Sequence, residues 1–299
     1  MIKHLNELVE SLENERTKKM AVAYAQDPNT IGAVATAVKK GIVDAYMVGD
    51  PDKIREVAEK ENIDPSIFNI VDESDEQKAG KKAVSLVKSG ECEILMKGLI
   101  STDKYMRAIL NKEEGILPKG AVLSHVTVVD VPTYHKLMFL SDVAVIPLPT
   151  LEQKVKMINY SVNVAHRFGI ENPKVALIAA TEKANPKMPA SAEAAIISKM
   201  GDRKQIKGCT IDGPLALDVA ISKEACEIKG LKTDVGGDAD VFIFPNIEAG
   251  NVFYKAVTRL AGGELAGIVV GTNVPVVLTS RGDSEASKLY SIAVAAKMA

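Results

Sequence analysis

The chain has 299 residues, 46% of them apolar and 25% charged, with Lys+Arg 37 against Asp+Glu 39 and a formal charge of −2. That is an ordinary globular composition, long enough for one large or two smaller domains. It shows no basic face for nucleic acid and no apolar run near the roughly 18 residues of a membrane span. It also has only three cysteines, Cys92, Cys209 and Cys226, with no C-x-x-C pair, which argues against a disulfide framework or a zinc site.

The first ten residues, MIKHLNELVE, are amphipathic and lack a long apolar core. No signal peptide is expected, and the expected setting is a reducing cytoplasm. Short β-branched runs at 19–25, 44–49 and 93–97 then alternate with helical periodicity at 30–40, 51–61, 74–89 and 102–111. Three strand-like runs follow with little helix between them: VTVVDV (126–131), KLMFL (136–140) and VAVIP (143–147). Helices are expected at 151–168, 189–200, 247–261 and 284–298, with strands at 174–180, 240–245, 267–271 and 274–278.

Many of these runs are continuously apolar, as strands covered on both faces are. The alternation predicts an α/β fold with a largely parallel sheet. The change of pattern around 118–147 marks a possible crossing between two α/β halves. No Gly-, Ser- or Pro-rich linker divides the chain, so the halves are expected to form a rigid body.

Common nucleotide and nucleophile motifs are absent: there is no G-x-G-x-x-G, no G-x-x-x-x-G-K-[ST] and no G-x-S-x-G. Asp234, Asp238 and Asp240 stand in a Gly-rich turn that reads as a solvated loop before a strand, not as a metal site. TSRGDS (279–284) follows the apolar run 274–278 and precedes the last helix. Such strand-to-helix turns receive ligands in α/β sheets, and helix amides favour anions. Arg281 adds forked donors suited to phosphate, and Ser280 a hydroxyl. On spacing alone, Asp283 is equally a helix cap and Arg281 a surface charge.

MKGLISTDKYMR (96–107) presents a similar turn: Lys97 and Gly98 at a strand end, then Ser101 and Thr102 opening a helix that carries Arg107. This suits an oxyanion, although Ser101 or Thr102 as a plain N-cap explains the hydroxyls equally well. FPNIEAGNVFYK (244–255) is a third strand end. There Asn246, Gly250 and Asn251 either approach a ligand or simply form a turn and cap. CTIDGPLALD (209–218) reads as strand, Asp-Gly-Pro turn, then helix. His125, in SHV at 124–126, falls within a strand pattern and reads as a structural residue.

Taken together, MKGLISTDKYMR, DVAVIPLPTLEQKVKMINYSVNVAHRFGIENPKVAL, NPKMP, IKGCTIDGPLALDVAIS, ADVFIFPNIEAGNVFYK and PVVLTSRGDS resemble the phosphate acetyl/butyryl transferase family. They occur in order along nearly the whole chain, and SKMGDRKQIKGCTIDGPLALD lies closer to the butyryl than to the acetyl branch.

The resemblance implies two α/β domains with an interdomain cleft, an architecture like that of isocitrate and isopropylmalate dehydrogenases. Residues 1–140 plus 284–299 would form one domain and 141–283 the other. It implies transfer of an acyl group between coenzyme A and phosphate, with acyl-CoA, inorganic phosphate and acyl phosphate as partners. No metal or organic cofactor is implied, and a homo-oligomer, at least a dimer, is expected. Ser280 and Arg281 match the family's catalytic pair, and Arg107 matches an arginine that serves coenzyme A. Lys97, Gly98, Ser101, Thr102, Asn246 and Asn251 join as substrate- or coenzyme-binding candidates.

One position departs from the acetyl branch. The acidic residue seven after the serine, proposed there as base for the coenzyme thiol, is Ser287 here. Asp283 is therefore carried as a possible base or helix cap. The alternatives are acetyl-CoA as substrate, a metal- and NAD-dependent dehydrogenase of the same architecture, and a non-catalytic acyl-CoA-binding protein.

Overall fold

The computed structural model describes residues 1–279 and 282–299. In chain order the elements are α1 (Leu5–Leu12), β1 (Lys18–Ala23), α2 (Pro28–Lys39), β2 (Val43–Gly49), α3 (Pro51–Lys60), β3 (Asn69–Asp72), α4 (Glu76–Lys88), β4 (Ile94–Lys97) and α5 (Thr102–Ile109). Then come β5 (Ser124–Asp130), β6 (Met138–Ser141), α6 (Leu151–Arg167), β7 (Lys174–Ile178), α7 (Pro189–Asp202), β8 (Thr210–Leu215), α8 (Leu217–Ile221) and α9 (Lys223–Ile228). The last are β9 (Val241–Ile243), α10 (Ile247–Leu260), β10 (Glu264–Val270), β11 (Val276–Val277) and α11 (Glu285–Met298). No helix among the described residues is long and apolar enough to cross a membrane.

The chain divides into two compact units. The unit of Leu5–Leu123 and Ala266–Ala299 has strand order β3-β2-β1-β4-β11-β10. Its pairings are parallel except β10 with β11. The chain runs outward from β1 to β3 and returns to β4 on the other side of β1, so the order reverses between β1 and β4. In open α/β sheets that reversal, at the carboxyl ends of the strands, is where ligands bind. Helices α2 and α3 open with Pro at the first turn after caps by Asp27 and Asp50, whose side chains accept helix amides.

The unit of Met1–His4 and Ser124–Leu265 has strand order β5-β6-β9-β7-β8, with β5–β6 antiparallel and the rest parallel. Its core gathers Val129, Leu140, Ala176, Leu215, Phe242 and Phe244. These bounds differ from the expected division at 140/141 and 283/284. Residues 124–140 go with the later segment because β6 pairs with β9, Phe139 opposite Val241. Residues 266–283 go with the earlier one because β11 pairs with β4, Val277 opposite Met96.

Two further expectations are corrected. VAVIP (143–147) is not a strand. Asp142 Oδ1 accepts the amides of Ala144 and Val145, both at 2.8 Å, and its Oδ2 accepts Ser124 Oγ at 2.8 Å. A carboxylate that takes the next amides turns the chain. Val143 and Ile146 are buried all the same, which is why the run is apolar.

The acidic turn is a loop before β9 with Asp234 exposed, but Asp238 and Asp240 are not solvated. Lys136 Nζ lies 2.8 Å from both Asp238 Oδ1 and Asp240 Oδ1, and Lys174 Nζ donates to Asp238 Oδ2 at 2.7 Å. Burial opposes ionisation of Asp238, but hydrogen bonds from Lys136, Lys174 and His135 outweigh it and hold the group below the usual carboxylate range.

Candidate functional site

Five candidates lie together on β4 and α5. Lys97 ends β4 and is 3% exposed, its ammonium donating to the Gly98 carbonyl at 3.2 Å. Gly98 is required by the close approach of β1. A Cβ there would stand 2.6 Å from the Tyr24 carbonyl and 2.8 Å from that of Ala23, distances no side chain tolerates.

Ser101 occupies the N-cap position of α5 with extended backbone, but its side chain makes no capping bond. The Ser101 amide instead donates to Glu76 Oε1 at 2.7 Å, and Glu76 also pairs with Lys104. The Lys104 bond and the Ser101 amide lower the Glu76 pKa, while Glu76 raises that of Lys104. Thr102 opens the helix exposed.

Arg107 projects outward, 75% exposed, with its guanidinium 3.0 Å from Asp103. It lines a cavity of about 300 Å³ with Gln77, Lys81, Val84, Lys104 and Asn111. The exposed Arg107–Asp103 pair is worth little in water, so an incoming phosphate can take its place. Tyr105, on the opposite side of α5, is fully buried, its hydroxyl donating to the Val277 carbonyl at 3.4 Å and so tying α5 to β11.

Ser280 and Arg281 lie outside the described residues. Their flanks are placed. Thr279 is buried, 5% exposed, and its hydroxyl accepts from the Lys288 ammonium at 3.4 Å. Asp283 is not the cap of α11. Ser284 is, with φ −64 and ψ 159, its Oγ accepting from the Ser287 amide at 3.2 Å. Asp283 stands one residue too early for that geometry.

Asn246 and Asn251 belong to the other unit and are occupied within the protein. Asn246 caps α10 by accepting the Ala249 amide at 2.9 Å. Asn251 donates to the Val143 carbonyl at 3.0 Å. Gly250 packs against the same loop, since a Cβ would stand 2.4 Å from the Asp142 carbonyl. Asn251 and Gly250 therefore hold α10 on the 142–143 turn, while Asn246 only caps the helix. His125 is likewise structural, with Thr127 Oγ1 3.1 Å from its Nδ1.

Sequence reasoning missed Lys288. It is 3% exposed on α11, and burial pushes its ammonium down from the ordinary lysine range, with Asp27 and Asp283 opposing. The available signal was weak: Lys288 and Lys297 flank the apolar run 292–296 on the expected last helix, and nothing in the spacing tells the buried lysine from the other.

The chain matches the family model described as "Phosphate acetyl/butaryl transferase" over residues 4–83 and 76–296. It is 50% identical over 299 residues to a phosphate butyryltransferase of Clostridium acetobutylicum, covering 100% of this chain and 99% of that one. It is 44% identical over 298 residues to a phosphate acetyltransferase of Thermotoga maritima, covering 99% of each. Among solved structures, a branched-chain phosphotransacylase from Enterococcus faecalis V583 superposes with TM-score 0.83 at 32% identity, covering 94% of this chain and 99% of that one. The chain belongs to the phosphate acetyl/butyryl transferase family and is a phosphate acyltransferase.

Proposed function

We propose that the protein exchanges a butyryl group between coenzyme A and inorganic phosphate, in preference to an acetyl group. The full-length 50% identity to the Clostridium acetobutylicum enzyme carries this reading. The 44% identity to an acetyltransferase keeps acetyl-CoA as the second reading.

In the reaction a phosphate oxygen attacks the thioester carbonyl, a C–O bond forms, the C–S bond breaks, and the coenzyme leaves as thiolate. The tetrahedral intermediate carries an oxyanion, so a donor aimed at that oxygen is a leading contribution. Arg281 takes that role, assisted by Ser280. Arg107 holds a coenzyme phosphate at the α4–α5 cavity, and binding both substrates in one place supplies proximity. Cations around the thiol favour its thiolate, and the scheme needs no metal or organic cofactor. A homo-oligomer in the cytoplasm completes the reading.

The test is thiol release from acyl-CoA with and without phosphate. The expected result is phosphate-dependent release with higher kcat/KM for butyryl-CoA. A higher value for acetyl-CoA favours the second reading.

A further inference from the structure

We propose that Lys288 is the fixed cation of an inorganic-phosphate subsite at the carboxyl ends of β1, β4 and β11. The proposal rests on the phosphate acyltransferase reading and deepens it by naming a binding residue for the smaller substrate.

Three neighbouring strands end here, in the order β1-β4-β11. Past β1, Asp27 caps α2, its carboxylate accepting the Thr30 amide at 2.9 Å. At the end of β4 stands Lys97, 3% exposed. Two residues beyond β11, Thr279 accepts from Lys288 at 3.4 Å. This is where the strand order reverses, the place at which open α/β sheets take ligands. A buried ammonium at such a strand end favours an anion.

The stability argument points the same way. Taking an ammonium out of water is costly even when it is partnered, and an apolar side chain of similar length is often as stable or more so. Asp27 and Asp283 offset part of that cost for Lys288, and the Asp27 carboxylate also accepts the Thr30 amide. A bound phosphate beside the ammonium favours its charged form.

The ligand is the small dianion rather than the coenzyme's phosphates. Lys288 and Lys97 are each 3% exposed, whereas a nucleotide needs room of the kind found beside exposed Arg107, about 300 Å³.

The experiment compares wild type with Lys288→Met and Lys288→Arg. KM is measured for phosphate and for acyl-CoA, together with the melting temperature with and without inorganic phosphate alone. In Lys288→Met the phosphate KM should rise about tenfold or more, the scale of losing one charge-assisted hydrogen bond. The acyl-CoA KM should stay within about twofold, as expected when only one substrate's contact is removed. The stabilisation by phosphate should vanish, while the melting temperature without phosphate holds or rises. Lys288→Arg, which keeps the charge, should lose less. Should the Met variant fail to fold, Lys288→Gln carries the same readouts. An unchanged phosphate KM with retained stabilisation by phosphate overturns the proposal, as does an equal rise in both KM values. A wild type without phosphate-dependent thiol release would instead sink the acyltransferase reading itself.

Discussion

Ser284 and Ser287 are joined twice at the start of α11: Ser284 Oγ accepts the Ser287 amide at 3.2 Å and lies 3.1 Å from Ser287 Oγ. Position 287, where the acetyl branch places an acid, here serves the helix end. Ser284→Ala should therefore cost about 0.5–2 kcal/mol, the range for losing an N-cap, read as a lower melting temperature. Ser287→Ala keeps the amide that the cap uses, and its turnover should stay near wild type. A large loss of turnover in Ser287→Ala, with melting unchanged, would return a chemical role to this position.

Asp283 does not cap α11, and its charge favours the ammonium form of Lys288. Asp283→Asn should lower turnover in the acyl-phosphate-to-CoA direction less than tenfold, well short of the roughly 100- to 10,000-fold contribution of a general base. A thousandfold loss at unchanged melting temperature would make Asp283 the base for the coenzyme thiol.

Arg107 and Arg281 should separate kinetically. Arg107 is exposed and paired with Asp103; on the proposed reading it holds a remote coenzyme phosphate, a contact made equally in ground and transition states. In Arg107→Ala that contact is lost. The KM for coenzyme A should rise more than kcat falls. Arg281→Ala should lower kcat about 100-fold or more, the scale of one oxyanion donor. The reverse pattern in either variant would contradict its assignment.

Legibility in the sequence followed the range of the interactions. The helix expected at 151–168 is α6 at Leu151–Arg167, because its cap, Thr150 with Gln153, is local. The strand expected at 93–97 is β4 at Ile94–Lys97. VAVIP looked like a strand because Val143 and Ile146 are buried, yet Asp142, a single upstream residue, turns the chain. Glu76 on Ser101 and Lys288 on Thr279 join separate elements, and no spacing rule reaches across such a gap. Asn246 and Asn251 drew attention as amide side chains at a strand end, but the partners that occupy them, the Ala249 amide and the Val143 carbonyl, emerge only from packing.

The ion network at Asp238 gives the last prediction. Asp238 receives Lys174 at 2.7 Å, Lys136 at 2.8 Å and His135 at 2.9 Å, and its side chain is 28% exposed. Its folded pKa lies below the ordinary carboxylate value, so its contribution to stability is fully present above the unfolded pKa of about 3.9 and is lost as pH falls through the folded one. Asp238→Asn removes the charge and leaves Lys136 to Asp240. At neutral pH it should cost about 2 kcal/mol, the scale of hydrogen bonds to a charged group. The gap between wild type and variant should hold from pH 8 to about 5, then narrow below about pH 4, where the unfolded chain's Asp238 takes up a proton while the folded carboxylate still resists it. Denaturant unfolding of both proteins across that range measures it. A gap that stays constant down to about pH 2 would mean that Asp238 contributes through shape and neutral hydrogen bonding rather than through its charge.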